Sequence, residues 1–310
     1  MRVKSLTTAI AASVVLSFFL GCSPEMEIPS YIWIDSVDFQ VTNAGQHGTA
    51  SHRITDVWLI ANGKSLGMYQ IPARIPILES GTTKLQIEAG IMLGGVPQAR
   101  ARYPFYSSYI TDVNLKKGKI DTLQPYFTYT NNTEIWEKED FETAGILYEA
   151  YGTSAPLKRT SDEALKFYYP KEINNYSGMV ELPYYNDTLD KDIYHFEIRT
   201  IKPVTLTSQH ILDCLMEINF RITHNVEVGM IIHYANTAIA DRQVAAANLT
   251  GYDDLSSQDN VWRKVYVNFT QIINETSQMQ SFDVYIRGTI PSNEKARFLF
   301  DNIKLIHNTR

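Results

Sequence analysis

One stretch of the chain gathers the side chains that recognise sugars. Tyr176, Tyr184 and Tyr185 stand among Asn174, Asn175, Asn186 and Asp187. Aromatic faces stack on sugar rings while neighbouring amides and carboxylates fix hydroxyls, so this segment has the chemistry of a glycan platform, and Tyr151, Tyr168 and Tyr169 can join it. The competing use of tyrosine is structural, as an amphipathic edge residue or an interface anchor. Catalytic patterns are missing by comparison. The seven histidines (47, 52, 195, 210, 224, 233 and 307) show no His-x-x-x-His or His-Glu-x-x-His spacing, which excludes the usual zinc hydrolase arrangement. There is no Gly-x-Ser-x-Gly elbow, and Gly90-Ile91-Met92-Leu93-Gly94-Gly95 lacks the lysine and helix of a phosphate loop. Asp253 and Asp254, or Glu137, Glu139, Asp140 and Glu142, offer the two acids a glycosidase needs, but adjacent surface acids are ordinarily solvated. The reading is a protein that binds and is not an enzyme.

The formal charge of −6 over 310 residues excludes the basic footprint of a nucleic-acid partner. Of the two cysteines, Cys214 lies in an apolar run and reads as a small buried hydrophobe, so no disulfide framework is expected. Cys22 follows a basic start (Arg2, Lys4), an apolar run from Ala9 to Leu20, and Gly21. That run is too short to span a bilayer permanently. The layout resembles a bacterial lipoprotein signal peptide over residues 1–21, and Phe19-Leu20-Gly21-Cys22 resembles the lipobox, with Phe19 where Leu is usual. The resemblance implies lipid on Cys22 as the hold on the membrane, followed by a tether over 22–30 that carries Glu25 and Glu27. With the triplets Asp35-Ser36-Val37, Asp121-Thr122-Leu123 and Asp187-Thr188-Leu189, it resembles outer-membrane lipoproteins of Bacteroidota type, on either the periplasmic or the cell-surface face.

The elements that must position these residues read as all-β. Residues 31–130 contain short β runs, with Asn62-Gly63 after Asp56–Ala61 as the strongest hairpin signal. This stretch resembles small immunoglobulin-like or transthyretin-like β-sandwiches. Residues 131–139 read as a linker. Residues 140–310 are again β, with clear alternation of Val265, Val267 and Phe269 against Lys264, Tyr266 and Asn268, the pattern of a half-buried strand. The alanine-rich Thr237 to Ala247 reads as one helix turn or a loop.

Four segments of the second unit, Asp140-Phe141-Glu142, Ser177-Gly178-Met179-Val180, Trp262-Arg263-Lys264-Val265 and Phe298 to Leu305, resemble those of carbohydrate-binding, galactose-binding-like jelly rolls. That resemblance implies first and last strands side by side. It also implies a structural Ca²⁺ held by Asp140 or Glu142 together with Asp301, the cation otherwise being dispensable. Two functions follow. The first is an accessory subunit docked on an outer-membrane protein complex, which predicts a broad apolar patch. The alternative is a surface glycan-binding lipoprotein of a polysaccharide-uptake or adhesion system, which predicts exposed tyrosines near Tyr184.

Overall fold

The computed structural model describes residues 27–152, 154–170, 172–183, 195–206, 211–252, 261–291 and 294–309. Its first unit contains β1 (Ser30–Ile34), β2 (Asp38–Phe39), helix α1 (Ala44–His47), β3 (Asp56–Ala61), β4 (Lys64–Gln70), β5 (Ala73–Ile77), β6 (Gly81–Met92), β7 (Arg100–Arg102), β8 (Tyr109–Leu115), β9 (Ile120–Leu123) and β10 (Tyr126–Phe127). Asn62 and Gly63 take φ of 47° and 81° and close the β3–β4 hairpin, because a two-residue turn that follows the strand twist needs positive φ at both positions. Sheet β5-β1-β9 faces the sheet built from β4-β3-β6-β7 with β8 also on β6. Ile32, Ile34, Ile75 and Ile77 from one side meet Val57, Leu59, Leu85 and Ile87 from the other, which makes a β-sandwich.

The second unit contains β11 (Glu134–Glu139), β12 (Tyr148–Ala150), β13 (Lys158–Thr160), β14 (Ser177–Leu182), β15 (His195–Thr200), β16 (Val204–Thr205), β17 (Ile211–Ile222), β18 (Val226–Tyr234), β19 (Arg242–Leu249), β20 (Arg263–Asn268), helix α2 (Thr270–Glu275), β21 (Met279–Thr289) and β22 (Ala296–Thr309). One sheet runs β13-β14-β22-β17-β20, with β11 also on β22; the other runs β12-β15-β21-β18-β19, with β16 also on β21. Met216, Ile218, Phe220, Phe298 and Phe300 of the first meet Phe196, Ile198, Val228, Met230, Val284 and Ile286 of the second in the larger core. The pairing of β11 with β22 places the unit's first and last strands side by side, as a jelly roll requires.

Three sequence expectations change. Residues 134–139, read as linker, are a strand in the second unit's sheet. The Glu-Ile-Trp-Glu-Lys-Glu sequence looks like a polar connector because only its inner neighbours show it to be paired. The alanine run 245–247 lies in β19, where seven residue pairs with β18 override a helical preference that packing outweighs. Finally, β20 is buried on both faces, not one: Lys264 and Tyr266 are 4% and 1% exposed.

Candidate functional site

The covering of β20 has a cause that extends across its sheet. Leu215, Glu217 and Asn219 on β17, Lys264 and Tyr266 on β20, and Asn302, Lys304 and Ile306 on β22 all point away from the jelly-roll core, and all are buried. The first unit lies over them. Leu215, Tyr266 and Ile306 belong to its apolar core, together with Tyr103, Tyr106 and Tyr129. At the centre, Glu217 accepts from Tyr103 Oη at 2.6 Å and Tyr129 Oη at 3.1 Å, and pairs with Lys264 Nζ at 2.6 Å. Lys264 also donates to Ser51 O, and Lys304 donates to Thr49 O and Tyr129 Oη. Burial alone would raise the Glu217 carboxyl, but Lys264 and Lys304 overcome it and hold it below the ordinary glutamate range. The centre of this sheet is a joint between the units, and at its edge Tyr168, Tyr169, Trp262 and Arg263 line an open pocket of about 450 Å³.

The other sheet keeps its outer face open. Along β15, β21 and β18, inward residues (Phe196, Ile198; Val284, Ile286; Val226, Val228) alternate with outward polar ones. Register then sets Glu197, Arg287, Glu227 and Asn248 directly opposite one another across four strands. Arg287 pairs with Glu227 at 2.9 Å, and Arg199 grips Glu197 at 2.5 Å while its guanidinium lies 3.1 Å from the ring centroid of the exposed Tyr151. One strand position along, Tyr285 reaches over Gly229 and donates to Glu227 at 2.5 Å. A Cβ on Gly229 would stand 2.5 Å from that hydroxyl, so glycine is what admits the ring. Burial first, and then the bond to Glu227, push the Tyr285 phenol up to about 12. Further along, His233 bridges Asp241 and Asp283 at 2.9 and 3.0 Å. The row forms the floor of an open cleft of about 570 Å³ that His195, Asn225 and Thr289 also line. Planar guanidinium and carboxylate groups held in place by one another, with amides beside them, suit paired donor–acceptor contacts to vicinal hydroxyls.

Of the tyrosines singled out from sequence, Tyr151 lies at this face against Arg199, whereas Tyr168 and Tyr169 line a separate pocket beside Trp262. Tyr176 is half-buried against the jelly-roll core, with the Arg159 guanidinium 3.8 Å from its ring centroid, so that face is already occupied. Tyr184, Tyr185 and Cys22 lie outside the described residues. Glu142 accepts from the Asn175 and Tyr176 amides and from Asn175 Nδ2. Asp140 accepts from the Glu142 amide and pairs with Lys138. Asp301 accepts from Ser177 Oγ, Asn174 Nδ2 and its neighbour's amide. Donor protons point at the oxygens a Ca²⁺ would need, and no group of three metal-binding side chains occurs among the described residues. As arranged, these carboxylates cap loops and do not fit the cation. Phe141 between them takes φ of 57° and lays its ring where a Cβ on Gly178 would clash at 2.4 Å, so the Asp-Phe-Glu segment is a packing device. Cys214 is buried, and burial pushes its thiol far above the reactive range. The open-face residues form no motif in sequence; their signal there is the polar phase of His195-Phe196-Glu197-Ile198-Arg199 and of Asp283 to Arg287.

No protein-family model and no curated protein matches the chain. Among solved structures it is similar to carbohydrate-binding modules. One is the family 11 module from Clostridium thermocellum in complex with a β-1,3-1,4-mixed-linked tetrasaccharide (12% identity, TM-score 0.35, 56% of this chain and 94% of that one). Another is a family 22 xylan-binding domain from Paenibacillus barcinonensis (10% identity, TM-score 0.36, 58% and 99%). A third comes from a study of promiscuous specificity in modules of the β-sandwich superfamily (11% identity, TM-score 0.35, 81% and 84%).

Proposed function

We propose that the protein is a non-catalytic, lipid-anchored envelope protein that binds a glycan along the open face of its jelly roll. One observation carries this: of the two jelly-roll sheets, the one left uncovered presents the cross-strand row Glu197–Arg287–Glu227–Asn248 at the floor of a cleft. That face is polar and charged. A protein partner for an accessory subunit would favour an apolar, charge-depleted interface, so the row supports the glycan reading over the docking one. Anchoring through Cys22 in the outer membrane of a Bacteroidota-type cell is part of the same reading, carried by the signal-like residues 1–22. No described helix is long and apolar enough to cross a membrane.

The test is a polysaccharide panel screened by affinity electrophoresis, with Arg287→Ala and Glu227→Gln alongside the unaltered chain. Each variant is expected to weaken retention by a retained polysaccharide about tenfold or more, since each removes a charge-assisted contact and unpairs its neighbour. Unchanged retention in both variants would place the ligand elsewhere, and release of reducing ends would overturn the non-catalytic reading.

A further inference from the structure

The end of the first unit where the described chain begins has a composition unlike the rest of the molecule. Four segments meet there. Ile28-Pro29 enters β1; Leu78-Glu79 leaves β5, whose Ile77 pairs with Ser30; Lys116–Lys119 turns from β8 into β9, with the Gly118 amide donating to Pro29 O at 2.9 Å; and the Asn62-Gly63 turn sits beside Glu79 and Lys84. All the lysines between residues 27 and 130, namely Lys64, Lys84, Lys116, Lys117 and Lys119, are at this pole, and all are exposed. Lys84 faces Asp112 across the β6–β8 pair, and Glu27, Glu79 and Asp121, which follows Ile120, are the other acids nearby. Between the lysines stand three exposed aliphatic side chains, Ile28 (60%), Leu78 (65%) and Ile120 (50%). An otherwise acidic chain thus concentrates cations and apolar tips at one end.

From this we infer that the pole is a membrane-contact surface that seats the first unit on a bilayer bearing anionic phosphate headgroups. The orientation rests on the lipoprotein reading, because Cys22 precedes Glu27 by five residues and so stands within about 18 Å of the pole even if that segment is fully extended. The chemistry of the surface does not. Clustered lysines are attracted to an anionic leaflet, and aliphatic tips among them enter the headgroup boundary. Lipid on Cys22 would hold the chain at one point, and a basic, apolar-tipped surface adds a second contact that orients the first unit on the bilayer.

The experiment uses the chain with Cys22→Ser, so that lipid plays no part. Co-sedimentation with phosphatidylglycerol vesicles is expected, weakening as salt rises, while phosphatidylcholine vesicles leave the protein in the supernatant. The triple variant Lys116→Gln, Lys117→Gln, Lys119→Gln is expected to lose at least tenfold in partitioning at an unchanged melting temperature. Equal binding to both vesicle types, binding indifferent to salt, or an undiminished triple variant would each overturn the proposal. Fatty-acid labelling of the unaltered chain tests lipidation separately, so either idea can fail alone.

Discussion

Gly229 and Asp301 are two residues whose environments make measurable demands. A Cβ at position 229 would meet the Val244 carbonyl at 2.3 Å as well as the Tyr285 ring, and backbone cannot move aside as a flexible side chain can. Gly229→Ala is therefore expected to cost about 1–3 kcal/mol by overpacking, read as a lower urea midpoint, and to weaken glycan retention by displacing Tyr285 from Glu227. An unshifted midpoint would show that the β18–β19 bulge absorbs the methyl. Asp301 is a case of charge. Burial pushes its carboxyl up to about 7, against the lowering effect of Ser177, Asn174 and the Asn302 amide. Since the folded value lies above the unfolded one, the native state binds more protons between about pH 4 and pH 7, and stability from this group is full below that window and lost as pH rises through it. Asp301→Asn should thus gain on the unaltered chain between pH 5 and pH 8 in urea midpoints. Parallel shifts of the two proteins would mean that Asp301 does not titrate there.

At the scale of elements, β17 and β22 are central strands covered on both faces, by the jelly-roll core on one side and the first unit on the other. Their amides should exchange with deuterium only by near-global opening, whereas β13 and β19, at sheet edges, should exchange by local fraying. Early exchange throughout β22 would contradict the double covering. Much of this was legible in sequence: alternation gave the β runs, Asn62-Gly63 gave its hairpin, and Phe298 to Leu305 gave the last strand. The joint was not. Glu217, Asn219, Lys264 and Lys304 occupy the polar phase of their strands, and polar phase reads as solvent unless the covering surface, 88 to 255 residues away in sequence, is known. The open-face row is hidden in sequence for a related reason. The tyrosines cluster in one loop-rich stretch of sequence, while register assembles Glu197, Arg287, Glu227 and Asn248 from four strands that are far apart in sequence.

For the whole molecule, the joint decides whether the two units behave as one body. Glu217, Lys264 and Lys304 are each less than 5% exposed, and charges so deeply buried are tolerated only while paired. Tyr103, Tyr129, Thr49 and Ser51 of the first unit supply the remaining contacts, so separating the units strands charged groups and uncovers Leu215, Tyr266 and Ile306 together. The expected result is a single calorimetric unfolding transition. Glu217→Gln keeps the shape but leaves Lys264 without its counter-charge, a change worth about 3–5 kcal/mol at a buried pair. Because Glu217 also accepts from Tyr103 and Tyr129 of the first unit, part of that loss falls on the contact between units, and the transition should divide in two. Acid should act in the same direction on the unaltered chain. The Glu217 carboxyl is held below its ordinary range in the folded state, so its contribution is present above the unfolded value and disappears as pH falls through the folded one. Two transitions already present at neutral pH in the unaltered chain would show that the units are only tethered; a single transition that Glu217→Gln leaves intact would show that apolar burial alone holds the joint.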